Sequence, residues 1–338
     1  MISHGKFYIP NLKNVIFFGS LIKEKEFIEI NKKLSVSTEI ITSPDQSRSI
    51  DKNLKIIITE KIDKKIKNYL KKKYDFEETL FISMASRWIF SKETIRFFKN
   101  NLINSHPTRL PFDAGSGGFS WQIMRGDKIS NQLFHLVDDK LDTGPIIFNK
   151  KSLFPSNCNL PKDYYGYHLS KLLEFYQEFI KKLIKKENFK LKYQTDYLSS
   201  YNPRIVTDIH GWIDWDMEAI NLERFVAAFD DPYSGASTYL GGKKVRIKKL
   251  RIHSGEIPSH PFMSGIVMRN DKNWIVVSTK EEKHKVIIEE VLNENGQNVV
   301  GDVQVGDRLH TSISYLDEAK GTRAKFNSKG LKKNKKYL

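Results

Sequence analysis

The sequence predicts an α/β fold in which a mostly parallel sheet is followed by a smaller all-β domain. Between residues 14 and 106, short apolar runs alternate with stretches of helical spacing, which is typical of a parallel sheet buried on both faces. In the second half, short alternating strands are separated by turns, as in a small β-barrel or sandwich. A length of 338 residues also favours two domains over one core.

The elements of the first domain follow from apolar spacing. Continuous apolar runs such as NVIFFGS (14–20) predict buried strands, and longer runs of period 3.6 predict amphipathic helices. Ligands of such a Rossmann-like sheet bind at the carboxyl ends of strands. No G-x-G-x-x-G follows the first strand, which argues against NAD or FAD. The predicted strands are 14–20, 37–45, 54–60, 79–86, 102–106 and two within 130–154; the predicted helices are 23–34, 61–75, 91–100 and 164–186.

The second domain begins after a linker rich in Tyr, Ser, Asn and Pro. One helix is predicted there, followed by short strands that end in Gly- and Asn-containing turns. Residues 301–311 are typical of a closing hairpin. The predicted limits are 1–200 for the first domain, 201–316 for the second and 317–338 for a basic, disordered tail.

The composition excludes several classes of protein. No apolar run is long enough to span a membrane, and the N-terminus lacks the pattern of a secretory signal, so we expect a cytoplasmic protein. A single cysteine, Cys158, agrees with a reducing compartment. Half of the formal net charge of +16 lies in the last twenty residues, and the rest is spread over predicted helix faces. The charge therefore does not by itself predict a nucleic-acid groove.

A candidate site lies at the end of the fifth strand. Asn104 and His106 alternate along it and share one face, and Asp142 lies in a polar turn before an apolar strand. An imidazole held by a carboxylate should stay protonated to higher pH and stabilise an oxyanion together with the Asn amide, while Asp takes a proton from an amine. Alone, these residue types at such positions are more often turn formers or caps.

Two separated motifs give this site a family resemblance. The stretch NSHPTRLP (104–111) and, further on, LDTGPII (141–147) resemble the hallmark of formyltransferases that use N10-formyltetrahydrofolate. The resemblance implies that Asn104 and His106 bind the formyl oxygen and that Asp142 pairs with His106 and assists proton removal. It implies this folate as co-substrate and no metal. The matching residues are Asn104, His106, Leu110, Pro111, Asp142 and Gly144.

The resemblance also implies where the two substrates bind. The folate pocket would lie between the loop after the fourth strand and the turn that precedes Asp142, and the acceptor would approach the glycine-rich loop after Pro111. The implied folate residues are Ser86, Arg87, Trp88, Ile89, Leu110, Pro111, Val137, Asp138 and Asp139, and the implied acceptor residues are Gly117, Gly118 and Trp121.

The second domain is similar to the C-terminal module of methionyl-tRNA formyltransferases and of polymyxin-resistance enzymes, which implies an OB-like open barrel. The catalytic half departs from the tRNA-modifying pattern. Gly19-Ser20-Leu21 stands where Gly-Thr-Pro is usual, little room is left for a basic loop after Asp45, and FDAGSGG (112–118) lacks an arginine. We therefore expect a primary amine on a nucleotide-linked amino-deoxy sugar as acceptor. Initiator Met-tRNA is the alternative, and a non-catalytic RNA-binding protein is the second; a homodimer is left open.

Overall fold

A seven-stranded sheet organises the first part of the chain. The computed structural model describes residues 2–3, 5–255, 257–327 and 330–332. The elements of this part, in chain order, are β1 (Asn14–Gly19), α1 (Glu24–Lys33), β2 (Ser37–Thr42), β3 (Ile57–Ile58), α2 (Lys64–Lys73), β4 (Thr79–Met84), α3 (Lys92–Phe97), β5 (Leu102–His106), α4 (Gly118–Arg125), β6 (Ile129–Leu136), β7 (Ile146–Leu153) and α5 (Pro161–Ile184).

The strand order in this sheet is β7-β6-β5-β4-β1-β2-β3. Neighbours from β5 to β3 are parallel, whereas β6 is antiparallel to both β5 and β7. The predicted mostly parallel sheet is confirmed. All six residues of β4 are buried, because helices cover both faces of a central strand in such a sheet.

Successive side chains of a strand point to opposite faces of the sheet, and each face of the sheet has its own apolar core. On β1, Val15 and Phe17 pack in a cluster with residues of α1 and α5, while Ile16 and Phe18 pack on the opposite face with residues of α2 and α3. Asn104 and His106 follow Leu102 on the second of these faces, so the candidate site lies on the side of α2 and α3.

A second, antiparallel sheet forms the C-terminal part around its own apolar core. Its strand order is β10-β11-β12-β9-β8-β13, which confirms the predicted small β domain. The elements are α6 (Ala219–Ala228), β8 (Ala236–Leu240), β9 (Lys243–Ser254), β10 (Val267–Asn270), β11 (Ile275–Ser278), β12 (His284–Leu292), β13 (Leu309–His310) and α7 (Ile313–Gly321).

Two predicted strand features are wrong. The third strand is only two residues long, because it lies at the sheet edge, pairs only with β2 and leaves Ile58 54% exposed. Residues 301–311 do not form a hairpin: Leu309 pairs with Leu240 of β8, so the pairing partner comes from a distant strand.

The limits of the C-terminal tail differ from the expected ones. Helix α7 crosses the predicted boundary at 316/317, since Ala319 is buried and the Tyr315 ring stacks on Trp212. Residues 328–329 and 333–338 of the predicted disordered tail lie outside the described residues, so disorder there stays a prediction. No helix in the described part of the chain is long and apolar enough to cross a membrane.

Candidate active site

The site begins at the carboxyl end of β5, where antiparallel pairing brings in a residue that sequence reasoning missed. His135 on β6 lies opposite Asn104, and Leu133 lies opposite His106. Cross-strand partners share a face, so His135 joins the two predicted residues. His106 and His135 are almost fully buried. The signal available in the sequence was a histidine within the apolar end of the strand, LFHL (133–136).

Asp142 reaches the same place from the loop between β6 and β7. Its backbone is left-handed, with φ of 56°, and at Gly144 a Cβ would overlap the Leu136 carbonyl oxygen. The loop is therefore folded tightly against the end of β6. The Gly115 N–H donates to Asp142 Oδ2 at 2.9 Å, and Gln194 Nε2 donates to the Asp142 carbonyl at 2.9 Å. The first contact orients the carboxylate, and the second fixes the backbone of Asp142.

The predicted Asn, His and Asp are thus brought together, with His135 between them. Asp142 Oδ2 lies 3.8 Å from His106 Nδ1, and Asp142 Oδ1 lies 3.6 Å from His135 Nε2. Asn104 Nδ2 is 3.1 Å from His135 Nε2. Both distances from Asp142 to the imidazole nitrogens are longer than a direct hydrogen bond. The carboxylate therefore faces the two imidazoles but is hydrogen-bonded to neither.

Backbone carbonyls select the tautomers of the two histidines. His106 Nε2 lies 2.8 Å from the Asp113 carbonyl, and His135 Nδ1 lies 2.8 Å from the Leu136 carbonyl. A carbonyl only accepts, so these nitrogens carry the protons. In the neutral rings His106 Nδ1 and His135 Nε2 are then acceptors. Asn104 donates one amide hydrogen to His135 and keeps a second.

The charge state of the site differs from the expected one. Burial lowers the pKa of His106, and this outweighs the opposing effect of the Asp142 charge, so the imidazole is neutral at pH 7. Burial alone would raise the pKa of Asp142, but the facing His135 and His106 imidazoles and the Gly115 N–H lower it to about 2. The prediction that the carboxylate keeps His106 protonated to higher pH is therefore wrong.

Three side chains could together hold a metal ion. The ligand atoms of His106, His135 and Asp142 all lie within 4.8 Å of one another. The geometry alone does not require a metal, since Asn104 occupies His135 Nε2. That the protein uses none stays a prediction.

The loop after β4 holds four of the residues expected to bind folate. Arg87 Nε donates to Asp45 Oδ2 at 2.8 Å, and Trp88 Nε1 donates to the Glu60 carbonyl at 2.9 Å. The Trp88 N–H donates to Ser86 Oγ at 3.1 Å. Ile89 is 90% exposed, an unusual state for an isoleucine next to a candidate site. The loop is therefore anchored directly before one exposed apolar residue.

The other expected folate residues occupy two further segments. Asp139 forms an ion pair with Lys92 at 2.7 Å, which joins the turn after β6 to the first residue of α3. Val137 packs against the same core cluster as Trp88, and Asp138 accepts from Thr143 Oγ1 at 2.8 Å.

Leu110 and Pro111 lie apart from these two segments. Leu110 is buried in a small apolar cluster, and both residues line a cavity beside β6 and β7. The folate roles of all nine residues stay predictions.

The expected acceptor residues connect the two parts of the chain. Gly117 has φ of 74°, and its Cβ position lies 3.3 Å from the Ile205 N atom. At Gly118 a Cβ would lie 2.6 Å from Thr108 Cγ2. Trp121 Nε1 donates to the Pro203 carbonyl at 2.8 Å. These contacts explain the two glycines and Trp121 by the packing of the chain. Contact of these residues with an acceptor stays a prediction.

Fold and site together place the protein in one class. The family described as "Formyl transferase" matches residues 48–155, and the family described as "Formyl transferase, C-terminal domain" matches residues 206–302. These two matches together cover more than half of the chain. The chain belongs to the formyltransferase family and is a formyl-transferring enzyme.

Similar proteins name two kinds of acceptor. Methionyl-tRNA formyltransferase of Prochlorococcus marinus strain MIT 9312 is 27% identical over 300 residues, covering 85% of this chain and 89% of that protein. The bifunctional polymyxin resistance protein ArnA of Wigglesworthia glossinidia brevipalpis is 25% identical over 227 residues, or 64% of this chain and 32% of that protein.

Solved structures of sugar-modifying enzymes share the fold. WlaRD, a sugar 3N-formyltransferase crystallised with dTDP and 5-N-formyl-THF, has a TM-score of 0.61 at 20% identity, covering 84% of this chain and 98% of that chain. The N-formyltransferase of Helicobacter canadensis in complex with folinic acid and dTDP-3-aminofucose has a TM-score of 0.62 at 18% identity, covering 82% and 99%.

Proposed function

We propose that the protein transfers a formyl group from N10-formyltetrahydrofolate to a primary amine, with Asn104, His106 and Asp142 at the reacting atoms. The observation that carries this proposal is the convergence of an amide donor, a neutral imidazole and an ionised carboxylate at one buried strand end. The folate bound in the solved structures of similar fold supports the choice of donor. The non-catalytic alternative is not retained, because the family is enzymatic.

The charge states of His106 and Asp142 suggest which residue accepts the proton and which residues stabilise charge during the reaction. The acceptor amine attacks the formyl carbon, and its N–H proton moves to the His106 and Asp142 pair. Neutral His106 accepts the proton at Nδ1, and ionised Asp142 stabilises the imidazolium that forms. The free amide hydrogen of Asn104 and the new imidazolium stabilise the oxyanion. The C–N bond to the folate then breaks, and the proton passes to the departing nitrogen.

For the acceptor, we propose the amine of a nucleotide-linked amino-deoxy sugar. The segment after β2 supports this choice because it folds back onto the protein. Gln46 Nε2 donates to the Ala85 carbonyl at 2.8 Å, and Asp45 pairs with Arg87. Residues 46–49 form one tight helical turn, so this part of the connection is folded and does not extend toward an RNA stem.

Initiator Met-tRNA is the second candidate. It is favoured by the methionyl-tRNA formyltransferases among the relatives, which align over most of their own length. The net charge of +16 would also favour RNA, since phosphate contacts dominate such binding.

A paired assay separates the two acceptors. Purified full-length protein with N10-formyltetrahydrofolate is offered amino-sugar nucleotides in one reaction and charged initiator Met-tRNA in another, and formylated product is measured by mass. We expect formylation of an amino-sugar nucleotide and none of Met-tRNA. Formylation of Met-tRNA alone would overturn the acceptor, and no folate-dependent product from either would overturn the donor.

A further inference from the structure

A buried residue outside the three proposed catalytic residues connects the site to the rest of the protein. Asp113 lies in a turn after β5 and is 4% exposed. Its backbone carbonyl lies 2.8 Å from His106 Nε2. Two residues further on, the Gly115 N–H donates to Asp142 Oδ2 at 2.9 Å. This short segment therefore contacts both the imidazole and the carboxylate that are proposed to handle the proton.

The Asp113 carbonyl sets which nitrogen of His106 carries the proton. Asp142 is ionised and lies 3.8 Å from Nδ1, so its charge favours a proton on that nitrogen. Thr108 Oγ1 lies 2.9 Å from Nε2, and a hydroxyl can donate or accept, so it suits either tautomer. The carbonyl can only accept, and it therefore requires the N–H at Nε2. Without this carbonyl, the carboxylate would draw the proton to Nδ1.

The side chain of Asp113 holds the carbonyl in place. Its carboxylate lies between two guanidinium groups: Arg125 Nη2 is 2.5 Å from Oδ1, and Arg109 Nε is 3.6 Å from Oδ2. Asn202 Nδ2, from the linker between the domains, donates to Oδ1 at 3.3 Å. A carboxylate buried to this degree keeps its charge only beside such partners. The pairing therefore restricts the position of the whole residue, including its carbonyl.

We propose that Asp113 is a positioning residue, whose clamped side chain keeps its carbonyl on His106 Nε2 and so leaves Nδ1 free to accept a proton. The inference rests on the proposed function, in which His106 accepts the amine proton. Arg125 bonds to Asp113 and Asn202, so its effect on the imidazole passes through Asp113.

NMR measures the tautomer of His106 directly. Full-length protein is labelled with ¹⁵N at histidine, and His106→Gln identifies the signals of this ring. Protonated and unprotonated imidazole nitrogens differ in ¹⁵N shift, so the populations of the two tautomers can be read at neutral pH. We expect the proton on Nε2 in the wild type and a substantial share on Nδ1 in Asp113→Asn. An unchanged tautomer in Asp113→Asn would overturn the proposal.

Turnover should follow the tautomer. With the amino-sugar nucleotide of the paired assay, kcat of Asp113→Asn should fall about 10- to 100-fold, because fewer molecules present a free Nδ1. The KM for the folate should change little, since Asp113 acts on proton transfer and not on binding. Wild-type kcat in Asp113→Asn would overturn the role of Asp113 in the reaction.

Variants of Arg125 test the clamp without changing Asp113, in case Asp113→Asn folds poorly. Arg125 is partly exposed, so its replacement should be tolerated. Arg125→Gln should shift the tautomer and lower kcat in the same direction as Asp113→Asn but less, because Arg109 and Asn202 remain. Arg125→Lys keeps the charge and should recover most of the turnover. A wild-type tautomer and kcat in Arg125→Gln would overturn the clamp.

Asp127→Asn is the matched control. Asp127 also forms an ion pair with Arg109, but its carbonyl accepts from the Tyr164 hydroxyl and not from the imidazole. The variant should lower the free energy of unfolding while it keeps the Nε2 tautomer and turnover near that of the wild type. A tautomer shift as large as that of Asp113→Asn would mean that any loss of an ion pair has this effect, which would overturn the assignment.

The two readouts distinguish this inference from the proposed function, because the tautomer is measured without donor or acceptor. A tautomer shift in Asp113→Asn, with no formyl transfer by the wild type, would overturn the proposed function and leave the positioning of His106 intact. Formyl transfer by the wild type, with an unchanged tautomer and kcat in Asp113→Asn, would overturn the positioning role alone.

Discussion

Asp142 and His106 lie side by side in opposite charge states. The carboxylate is nearly buried, yet it keeps its charge because the Gly115 N–H and two imidazoles face it. The neighbouring imidazole loses its charge because burial dominates. Two adjacent groups are thus driven to opposite states, which is a common arrangement in sites that transfer protons.

Replacing Asp142 by Asn tests the role of that charge at nearly constant shape. We expect turnover to fall about 10²- to 10⁴-fold, because the imidazolium that forms during attack loses its stabilising carboxylate. Folate affinity, measured by fluorescence titration, should change little. Wild-type turnover in the Asp142→Asn variant would remove the carboxylate from the mechanism.

The neutral state of His106 predicts the pH dependence. Its folded pKa is lowered from the ordinary 6.5, so the proton-accepting form is present above that lowered value and is lost as pH falls through it. In an NMR titration the His106 imidazole should therefore take up its proton below pH 6.5. Unfolding is followed over the same range as a control. Protonation centred above pH 6.5 would contradict a neutral base.

At the scale of elements, the antiparallel insertion of β6 and the tight loop behind it create the site. Strand β6 places His135 next to Asn104, and the loop then turns Asp142 back over the same face. Neither feature exists in β5 alone. Gly144 is the residue on which this reversal depends, since it contacts the Leu136 carbonyl.

Gly144→Ala should therefore displace the loop that holds Asp142. Overpacking of this kind costs about 1–3 kcal/mol of unfolding free energy, and turnover should fall with it. Gly166→Ala in α5 is the matched control, because a Cβ there meets nothing within 4 Å. It should be neutral or stabilising by up to about 1 kcal/mol. Urea unfolding and turnover of both variants check this, and full activity of Gly144→Ala would contradict the argument.

At the scale of the molecule, the C-terminal part packs on α4 and so supports the glycine-rich loop. Ser120 Oγ donates to the Ala228 carbonyl at 2.9 Å, and Met124 packs against the C-terminal core. Trp121 holds the linker at Pro203. The second domain therefore supports the loop expected to meet the acceptor, although it contributes none of the three proposed catalytic residues.

The excess of 56 basic over 40 acidic residues should steer anionic substrates. With saturating donor, kcat/KM for a nucleotide-linked acceptor should fall several-fold between about 20 and 200 mM salt, because screening shortens the reach of the charge. The same amino sugar without its nucleotide is the control and should show little salt dependence. Equal salt effects on both acceptors would rule out steering.

The order of strands and helices could be predicted from the sequence because burial on both faces leaves continuous apolar runs. Such a run does not specify which strand it pairs with. For this reason the length of the edge strand β3 and the hairpin at 301–311 were predicted wrongly. Asn104, His106 and Asp142 were identified by motif, whereas His135 required knowledge of which strand lies beside β5.

The sequence by itself determined the fold class, the second β domain and the three polar residues that belong together. Only the tertiary structure decided their chemical state. The neutral state of His106 depends on burial, and the tautomers depend on backbone carbonyls that the fold places beside the two rings. Desolvation is a property of the packed environment and not of a residue's neighbours in sequence, so no local pattern could have predicted it.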